Sequence, residues 1–500
     1  MCEHMISTIA APTTDPVLNL ALDTVRQGKQ ALVFVNTKRS AEKVAEEISK
    51  RIEGKAYNAL AEKVLGALSK PTKQCKRLAA IIKKGVAFHH AGLASAQKHL
   101  IEDTFREGKV SIICCTPTLA AGLNLPAYRA IIRDLKRYAG RFGMRFIPVL
   151  EYHQMAGRAG RPGYDDHGEA IIVATAQAEA DDIYDEYICG EPENIQSKLN
   201  VEPVMRTYLL SLISSKIIQT DDQILDFFKD TFWAYQYEDM ARLEDTIYKT
   251  LSVLLKWQFL LEQDGKYRAT AIGHRVAQLY LDPLTAHHIV KGIKRSPTVA
   301  LRPVSFIQLV CHTNEMWPLL SVKSKEYELV QQKVVEWENQ LLDKEPSMFE
   351  LDYEDWLKSI KTSLLFLDWI DEHSENYLLE TYNVRPGELK AKLDKAEWLL
   401  YGMSELSILL DRHDLVSHIS KVRIRLKNGV REELLPLLKL KGVGRVRARQ
   451  LFRHGIKIPS DLIKAKATLP RLLGPKIAKN LLSQLGHEMD TNTGRLADFT

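Results

Sequence analysis

The sequence predicts a multidomain protein in which an α/β domain with a parallel sheet is followed by largely helical domains. The chain has 500 residues, whereas a single hydrophobic core stops growing at roughly 250–300 residues. In residues 30–175, short apolar runs alternate with amphipathic helical patterns, which is typical of a parallel sheet with helices on both faces. Helical patterns predominate from residue 203 onward.

The strands of the α/β domain are predicted from short apolar runs. They are Ala31–Val35, Val86–Phe88, Val110–Cys115, Ala130–Ile132 and Ala170–Ala174. Amphipathic stretches between these runs, such as Ser40–Arg51 and Ser95–Arg106, predict helices. Because ligands of such sheets bind in loops at one edge, we expect the functional residues to cluster there.

Three further domains are predicted after residue 200. In residues 201–282, three helical patterns precede two short strands joined at Asp264-Gly265, a dipeptide that favours a hairpin turn, and this order indicates a winged helix. Residues 283–415 predict an all-helical domain. Residues 421–486 predict short helices separated by glycine-containing turns, and a polar tail occupies residues 487–500.

The charge distribution predicts a nucleic-acid partner. The net charge is +6, but residues 421–500 hold 18 Lys and Arg against 6 Asp and Glu. Clustered cations favour phosphate binding, and the alternative is a solvated basic tail. The chain has no apolar run of the ~18 residues that a membrane span needs, and its 6 cysteines include no CxxC pair. We therefore expect a cytoplasmic protein without a membrane partner or a cysteine metal site.

The segment Gln154–Gly163 carries two arginines, Arg158 and Arg161, among small residues. Guanidinium groups bind phosphate in a bidentate manner, and glycine permits close backbone approach. The alternative is a glycine-rich surface turn with incidental arginines. Three other segments place polar residues at the ends of predicted strands, namely Leu32–Thr37, Phe88–Leu93 and Thr116–Pro126.

In this order, the four segments resemble motifs IV, IVa, V and VI of superfamily 2 helicases. The variants FHHAGL, TPTLAAGLNLPA and QMAGRAGRPGYD resemble the Ski-two-like branch. Nearly the whole chain resembles the archaeal DNA-repair helicases that are related to the helicase part of polymerase theta. The resemblance implies a second RecA-like motor lobe in residues 1–200 and a role in ATP-dependent 3′–5′ DNA unwinding.

The resemblance also implies roles for residues of these motifs. Arg161 matches an arginine finger, which stabilises charge on a transferring γ-phosphoryl group. The residues expected to face the nucleotide are Gln154, Arg158, Arg161, Gly122 and Asn124, and those expected to touch the DNA backbone include Thr116 and His90. Since adjacent strand residues point to opposite faces, we expect no metal site shared by His89 and His90.

Residues 133–148 alternate aromatic and basic side chains around two glycines, which predicts a β-hairpin. In the resembled family a hairpin at this place is a wedge that parts the duplex. Tyr138 and Phe142 would then stack on the last base pair. The alternative is an ordinary surface hairpin.

The helical domain resembles the ratchet of the family, in which a long helix lies along single-stranded DNA. Trp398 lies in the matching Ala396-Glu-Trp398 motif and is expected to stack on a base, with a core tryptophan as the alternative. Where the family commonly has an arginine, this chain has Ala391. The flanking Lys390 and Lys392 would supply the charge without the planar fork of arginine.

The basic C-terminal block contains the spacing L-x-G-V-G-x-x-x-A, which resembles a helix-hairpin-helix. Gly442 and Gly444 allow backbone N–H groups to approach a phosphate, and Arg445 and Arg447 follow them. A degenerate second copy includes Lys476. Such a motif binds the DNA backbone without reading its sequence.

The sequence holds no GxxxxGK[ST] phosphate loop and no D-E-x-H segment. We therefore expect ATP and Mg²⁺ to be bound mainly by a first RecA-like lobe, missing from a truncated gene product or encoded separately, and we expect no ATP hydrolysis by this chain alone. The expected partners are single-stranded and forked DNA and the first RecA-like lobe. We expect the chain to be a monomer. The alternatives are a non-catalytic DNA-binding module or a subunit of a split helicase, and an RNA helicase of the same branch.

Overall fold

The computed structural model describes residues 8–53, 56–68, 70–120, 124–138, 143–161, 163, 165–199, 201–237 and 239–486. They form two compact units. The first unit comprises the chain up to Ile195 together with Glu375–Lys390, and the second comprises Gln196–Ser374 and the chain from Ala391 onward. Of the predicted site residues, Gly122 and Phe142 lie outside the described residues, as does the tail 487–500.

The first unit is built on a five-stranded, wholly parallel sheet, which confirms the predicted fold class of this region. Its strands, with those of a separate hairpin, are β1 (Ala31–Phe34), β2 (Val86–His89), β3 (Ile112–Cys115), β4 (Arg129–Ile132), β5 (Lys136–Tyr138), β6 (Met144–Phe146) and β7 (Glu169–Ile172). The sheet order is β2-β3-β1-β4-β7, and the observed strands agree with the predicted ones to within two residues. Four of them, β1 to β4, are buried throughout because helices cover both faces.

The helices that flank the sheet follow the amphipathic patterns of the sequence. They are α1 (Pro16–Arg26), α2 (Lys38–Arg51), α3 (Asn58–Gly66), α4 (Lys73–Ile82), α5 (Ser95–Arg106), α6 (Val149–Ala156) and α7 (Gln177–Ile183). The side chain of Thr37 caps α2 by accepting a hydrogen bond from the backbone N–H of Ser40. The hairpin predicted in residues 133–148 is present as the antiparallel pair β5–β6.

The second unit is mainly helical and contains the hairpin β8 (Leu260–Gln263) and β9 (Lys266–Ala269). The predicted Asp264-Gly265 turn joins these strands, and both residues have positive φ, as a two-residue type I′ turn requires. The helices from α8 onward are α8 (Glu202–Ser214), α9 (Asp221–Lys229), α10 (Phe232–Tyr237), α11 (Met240–Lys256), α12 (Ala271–Gln278), α13 (Pro283–Arg295), α14 (Pro303–Cys311), α15 (Tyr327–Trp337), α16 (Tyr353–Ile370), α17 (Glu375–Tyr382), α18 (Pro386–Leu409), α19 (His413–Asn428), α20 (Arg445–Arg453), α21 (Asp461–Lys464), α22 (Leu469–Leu473) and α23 (Pro475–Ser483).

The predicted helical domain of residues 283–415 is interrupted in one place, because α17 and the first turn of α18 pack with the first unit. The C-terminal short helices form a hydrophobic core of their own around Leu437, Leu451, Leu469 and Leu481. No helix within the described ranges has both the length and the apolar character needed to cross a bilayer.

Candidate nucleic-acid groove and phosphate-facing arginines

A groove of about 1160 Å³ lies at the carboxyl edge of the first unit's sheet. The loops that follow β1, β2 and β3 supply Asn36–Arg39, Ala91 and Thr116–Thr118 to its wall. Helix α6 adds Gln154, and the α17–α18 connection adds Arg385. The motif residues thus meet at the edge of the sheet where ligands of parallel sheets bind.

The groove is lined by more cations than carboxylates. Its basic residues are Lys38, Arg39, Lys73, Arg77, Arg137 and Arg385, and its acidic residues are Glu42 and Glu151. All of these cations except Arg39 have a carboxylate partner, which is Glu388, Glu380, Glu42 or Glu151. An arginine that binds one carboxylate keeps other N–H donors, so these pairs still leave donors for an anion. Sequence reasoning did not identify these cations, although Lys38-Arg39 directly follows a predicted strand.

Beneath the groove, Glu42 holds three groups from different elements. Its carboxylate binds Arg77, lies 3.3 Å from His90 Nε2 and accepts from Arg385 Nε at 3.2 Å. Burial raises the pKa of Glu42, but the hydrogen bond from His90 and the charges of Arg385 and Arg77 outweigh burial and lower the pKa to about 2. Glu42 is therefore an anion that fixes the floor of the groove.

The imidazole of His90 is completely buried and does not line the groove. The backbone N–H of Gly92 donates to His90 Nδ1 at 3.1 Å, so the ring proton is on Nε2 and faces Glu42. Burial lowers the pKa of His90 below its ordinary value, which keeps the ring neutral at pH 7. The structure thus gives His90 a place beside Glu42 in the interior, where it orients this carboxylate. The neighbouring His89 pairs instead with Glu102 at 3.0 Å.

Two glycines let the loop after β2 pack against the start of α18. The backbone N–H of Gly387 donates to the carbonyl of Gly92 at 3.1 Å. A Cβ at Gly387 would lie 2.3 Å from the carbonyl oxygens of Ala91 and Leu93, and a Cβ at Gly92 would lie 2.3 Å from Cδ of Arg385. Any larger residue at either position would displace this loop or the start of the helix.

The remaining predicted residues of the first unit are distributed around this edge. The hydroxyl groups of Thr116 and Thr118 lie 2.9 Å apart in the groove wall. Gln154 is exposed on α6 and lines the same groove, and Asn124 is exposed. The backbone of Tyr138 ends β5 and pairs with Met144.

The two arginines that follow α6 are held by specific partners. Arg158 donates to the carbonyl of Ala120, while its buried Nε has no hydrogen-bond partner in the part of the chain that the structure describes. Arg161 makes two hydrogen bonds to Asp165, at 2.6 and 3.1 Å, and one to Gln30 at 2.7 Å. The hydrogen bond from Arg161 is the main cause that lowers the pKa of Asp165 to about 2.

Asp165 also binds Lys29 at 2.6 Å, and only 1% of its side chain is exposed. Arg161 keeps 20% of its side chain exposed. A buried carboxylate therefore fixes the direction in which the Arg161 guanidinium points.

In the second unit, Trp398 is half-buried, and its indole N–H donates to the carbonyl of Leu279 at 3.1 Å. This contact agrees with the alternative of a structural tryptophan, although part of the ring remains accessible. Lys392 donates to the carbonyl of Pro318. Lys390, which belongs to the first unit, is exposed.

The C-terminal block presents two glycine turns of similar layout. Gly442 has a φ of +85°, and Gly444 is the N-cap of α20; a Cβ at either glycine would meet no atom within 4 Å. Gly474 has a φ of +88° and is the N-cap of α23, whose first turn carries the exposed Lys476. Both helix N-termini therefore have open approaches for an anion.

The arginines of the first turn differ in their contacts. Arg445 stacks over the ring of Trp369 at 4.6 Å and donates to the carbonyl of His373 at 2.7 Å. Arg447 donates to the carbonyl of Gly442 at 2.6 Å and is exposed. Arg447 is thus the more accessible of the two predicted DNA-binding arginines.

Comparison with known proteins places these features in a family. Residues 14–163 match the helicase conserved C-terminal domain, and residues 304–429 match domain 4 of archaeal helicases. The chain is 37% identical over 492 residues to the ATP-dependent DNA helicase Hel308 of Methanocella arvoryzae, which covers 95% of this chain and 65% of that protein.

Other proteins of the same name are similarly close. Identity is 38% over 488 residues to the protein of Pyrococcus horikoshii, covering 94% of this chain and 66% of the relative. Identity is 35% over 508 residues to the protein of Caldivirga maquilingensis, covering 97% of this chain and 67% of the relative. The chain thus spans about two thirds of the length of these relatives.

Proposed function

The chain belongs to the Hel308 family of archaeal superfamily 2 DNA helicases, and we propose that it supplies the second motor lobe and the DNA-gripping domains for ATP-dependent 3′–5′ unwinding. The observation that carries this proposal is the basic groove at the carboxyl edge of the parallel sheet. Motif residues after three successive strands line it together with six cations.

Single-stranded DNA is the proposed occupant of this groove. Thr116 and Thr118 are hydrogen-bonded to each other and keep one hydroxyl donor between them for the DNA, and Arg39 is exposed. These groups suit the non-bridging oxygens of successive phosphates, which carry no sequence information. The buried Glu42 keeps Arg77 and Arg385 in fixed directions along the floor, so the groove is preorganised for an extended backbone.

Salt-dependent DNA binding tests this proposal. We expect the double variant Arg39→Ala/Lys73→Ala to bind a labelled single-stranded oligonucleotide more weakly than the unaltered chain. It should reduce the slope of log K against log salt by ~0.7 for each phosphate contact that is lost. Fluorescence anisotropy across a salt series measures both quantities.

Lys43→Ala is the matched control, because Lys43 lies on α2, is 73% exposed and does not line the groove. It should leave affinity and slope unchanged. A double variant that behaves like this control would show that the groove does not hold the DNA backbone. Repeating the titration with an RNA oligonucleotide of the same sequence distinguishes a DNA helicase from an RNA helicase.

The arginines after α6 fit one wall of a nucleotide site. The buried Nε of Arg158 has no hydrogen-bond partner among the described residues, and Arg161 is held by Asp165 with 20% of its side chain exposed. We propose that both face the phosphates of an ATP bound mainly by a first motor lobe. Bound ATP with Mg²⁺ supplies the phosphoryl group for hydrolysis, and Asp165 orients Arg161 toward it.

The second unit is proposed to grip DNA beyond the motor lobe. The turns at Gly442–Gly444 and Gly474 are open to approach and precede the N-termini of α20 and α23, which favours phosphate binding in the manner of a helix-hairpin-helix. The accessible part of Trp398 is proposed to stack on a base, and the β5–β6 hairpin is proposed to part the duplex. The hairpin β8–β9 and the helices before it are proposed to form a winged helix.

A further inference from the structure

A compact group of two histidines and one aspartate, side chains of the kinds that bind metals, lies in the second unit. His288 comes from α13, His312 caps the end of α14, and Asp343 lies in the segment before α16. Their ligand atoms all lie within 4.8 Å of one another. Within the described residues, no other set of three histidine, cysteine or acidic side chains converges in this way.

The distances between these atoms are close to those of a coordination site. Asp343 Oδ2 lies 2.6 Å from His312 Nδ1 and 3.8 Å from His288 Nε2. In a tetrahedral zinc site with bonds of ~2.0–2.1 Å, neighbouring ligand atoms are about 3.4 Å apart. The two distances to Asp343 bracket this value, and all three ligand atoms lie within 4.8 Å of one another, so side-chain rotations can bring them onto one ion.

Two further side chains hold His312 and Asp343 in place. His312 Nε2 faces Asp352 at 3.3 Å, which directs the ring so that Nδ1 points at Asp343. Gln308 Nε2 lies 3.4 Å from Asp343 Oδ2 and steadies that carboxylate. Histidines that bind metals usually donate their second nitrogen to a carboxylate in this manner.

One atom of the group is left without a hydrogen bond. His288 Nε2 is buried, and among the described residues it has no hydrogen-bond partner, although Asp343 Oδ2 lies 3.8 Å away. Buried polar atoms almost always have a partner. A metal ion between His288 and Asp343 would provide one, whereas the ion pair between His312 and Asp343 leaves His288 unused.

A cavity of about 630 Å³ adjoins the group and leaves room for a further ligand. The basic groups that line it are Lys291, Arg295 and Lys344, and the acidic groups are Asp343, Glu345, Glu350 and Asp352. Four carboxylates face three Lys and Arg side chains, and a metal ion would take the place of the proton that His312 otherwise carries. A water molecule can complete the coordination from this side.

We propose that His288, His312 and Asp343 bind a divalent transition-metal ion of the zinc class. Two imidazoles and one carboxylate are a ligand set of catalytic zinc sites and suit other first-row metals less selectively. No nucleotide or DNA-binding residue is close in sequence, so the ion is assigned a structural role. It ties α13, the end of α14 and the segment before α16 together within the helical domain.

The competing explanation is an ion-pair network without metal. Burial lowers the pKa of His312, but hydrogen bonds to Asp343 and Asp352 outweigh it and raise the pKa to about 9. A protonated His312 between two carboxylates would be stable by itself. The two explanations differ in what they require of His288, which only the metal site uses.

Metal titration of the tag-free chain tests the proposal. After dialysis against a chelator, Co²⁺ should bind with one equivalent per chain and give visible ligand-field absorption, and Zn²⁺ should displace it. We expect His288→Ala to weaken binding more than ~100-fold and Asp352→Asn to weaken it ~10–100-fold, as for ligand and second-shell changes elsewhere. Zn²⁺ should raise the melting temperature of the unaltered chain and not that of His288→Ala.

The design separates loss of metal from loss of fold. Because His288 Nε2 makes no hydrogen bond, His288→Ala without metal should melt at the same temperature as the metal-free chain. His413→Ala is the control, since His413 is 68% exposed and lies outside the group. Binding of less than one equivalent by the unaltered chain, or equal affinity in His288→Ala, would overturn the proposal in favour of the ion-pair network.

Discussion

The substitution Glu42→Gln is expected to destabilise the first unit by about 3 kcal/mol at pH 7. Only 3% of the Glu42 side chain is exposed, and its pKa is lowered from 4.5 to about 2. At 1.36 kcal/mol per pKa unit, this difference gives about 3 kcal/mol. Breaking a buried ion pair by removing one partner costs a similar ~3–5 kcal/mol. Gln keeps the size of the side chain but removes the anion that Arg77 and Arg385 share, and Arg77 then retains only Glu46.

The sign of the pH dependence follows from the lowered pKa. The stabilisation by ionised Glu42 is complete above about pH 4.5, the ordinary pKa, and is lost as the pH falls toward 2. The gap in stability between the unaltered chain and Glu42→Gln should therefore be constant from pH 5 to 8 and shrink below pH 4.5. Urea unfolding followed by far-UV circular dichroism at several pH values measures this gap.

A control variant and a second spectroscopic signal test whether the loss of stability comes from Glu42. Glu46→Gln removes the other carboxylate that binds Arg77, but Glu46 is 31% exposed, so we expect a cost below ~1 kcal/mol. All 7 tryptophans lie in the second unit, so tryptophan fluorescence reports on that unit while circular dichroism reports on both. A cost of Glu42→Gln equal to that of Glu46→Gln, or an equal gap at pH 3 and pH 7, would refute the proposed role of Glu42.

Further predictions concern catalysis and DNA binding. With a first motor lobe supplied, Arg161→Ala should lower ATP turnover by a factor of ~10³ or more. Arg158→Ala should also lower turnover, and both variants should retain DNA affinity; near-normal turnover would contradict their nucleotide-facing role. In the same steady-state assay, Asp165→Asn should lower turnover less than Arg161→Ala, because it releases the guanidinium without removing it. Without that lobe, ATP turnover should stay at background even with saturating single-stranded DNA. ATP turnover that Arg161→Ala abolishes would show instead that the chain hydrolyses ATP by itself. Deleting residues 430–500, which follow α19, should flatten the salt dependence of DNA binding, whereas Trp398→Ala should lower affinity at every salt concentration with little change in slope. An unchanged slope would show that the basic block is a solvated surface without DNA contacts. If Trp398→Ala changes stability but not DNA affinity, Trp398 is a core residue.

The parallel sheet was predictable from the sequence because each of its strands is centred on a short apolar run, with a polar residue only at one end of β2, β4 and β7. Val33 and its neighbours are buried on both faces, so no alternation of polar residues obscures them. The Asp264-Gly265 hairpin was predictable for a local reason, since few dipeptides adopt positive φ at both positions.

The floor of the groove could not be predicted, because it depends on contacts between residues far apart in sequence. Arg385 meets Glu42 across more than 300 residues, and no local pattern signals such a pair. The burial of His90 could not be predicted for the same reason. Its place at a strand end indicated a ligand contact, whereas burial beside Glu42 is decided by helices that pack over the strand.

The contact between Gly92 and Gly387 has a consequence for biosynthesis. The sheet of the first unit is complete in the chain by Ile172, but its covering segment Glu375–Lys390 is translated only after residues 196–374. At ~5–20 residues per second, that delay is on the order of 10–40 s. During this interval the loop after β2 and the carboxylate of Glu42 lack their late partners while a second unit is already emerging from the ribosome.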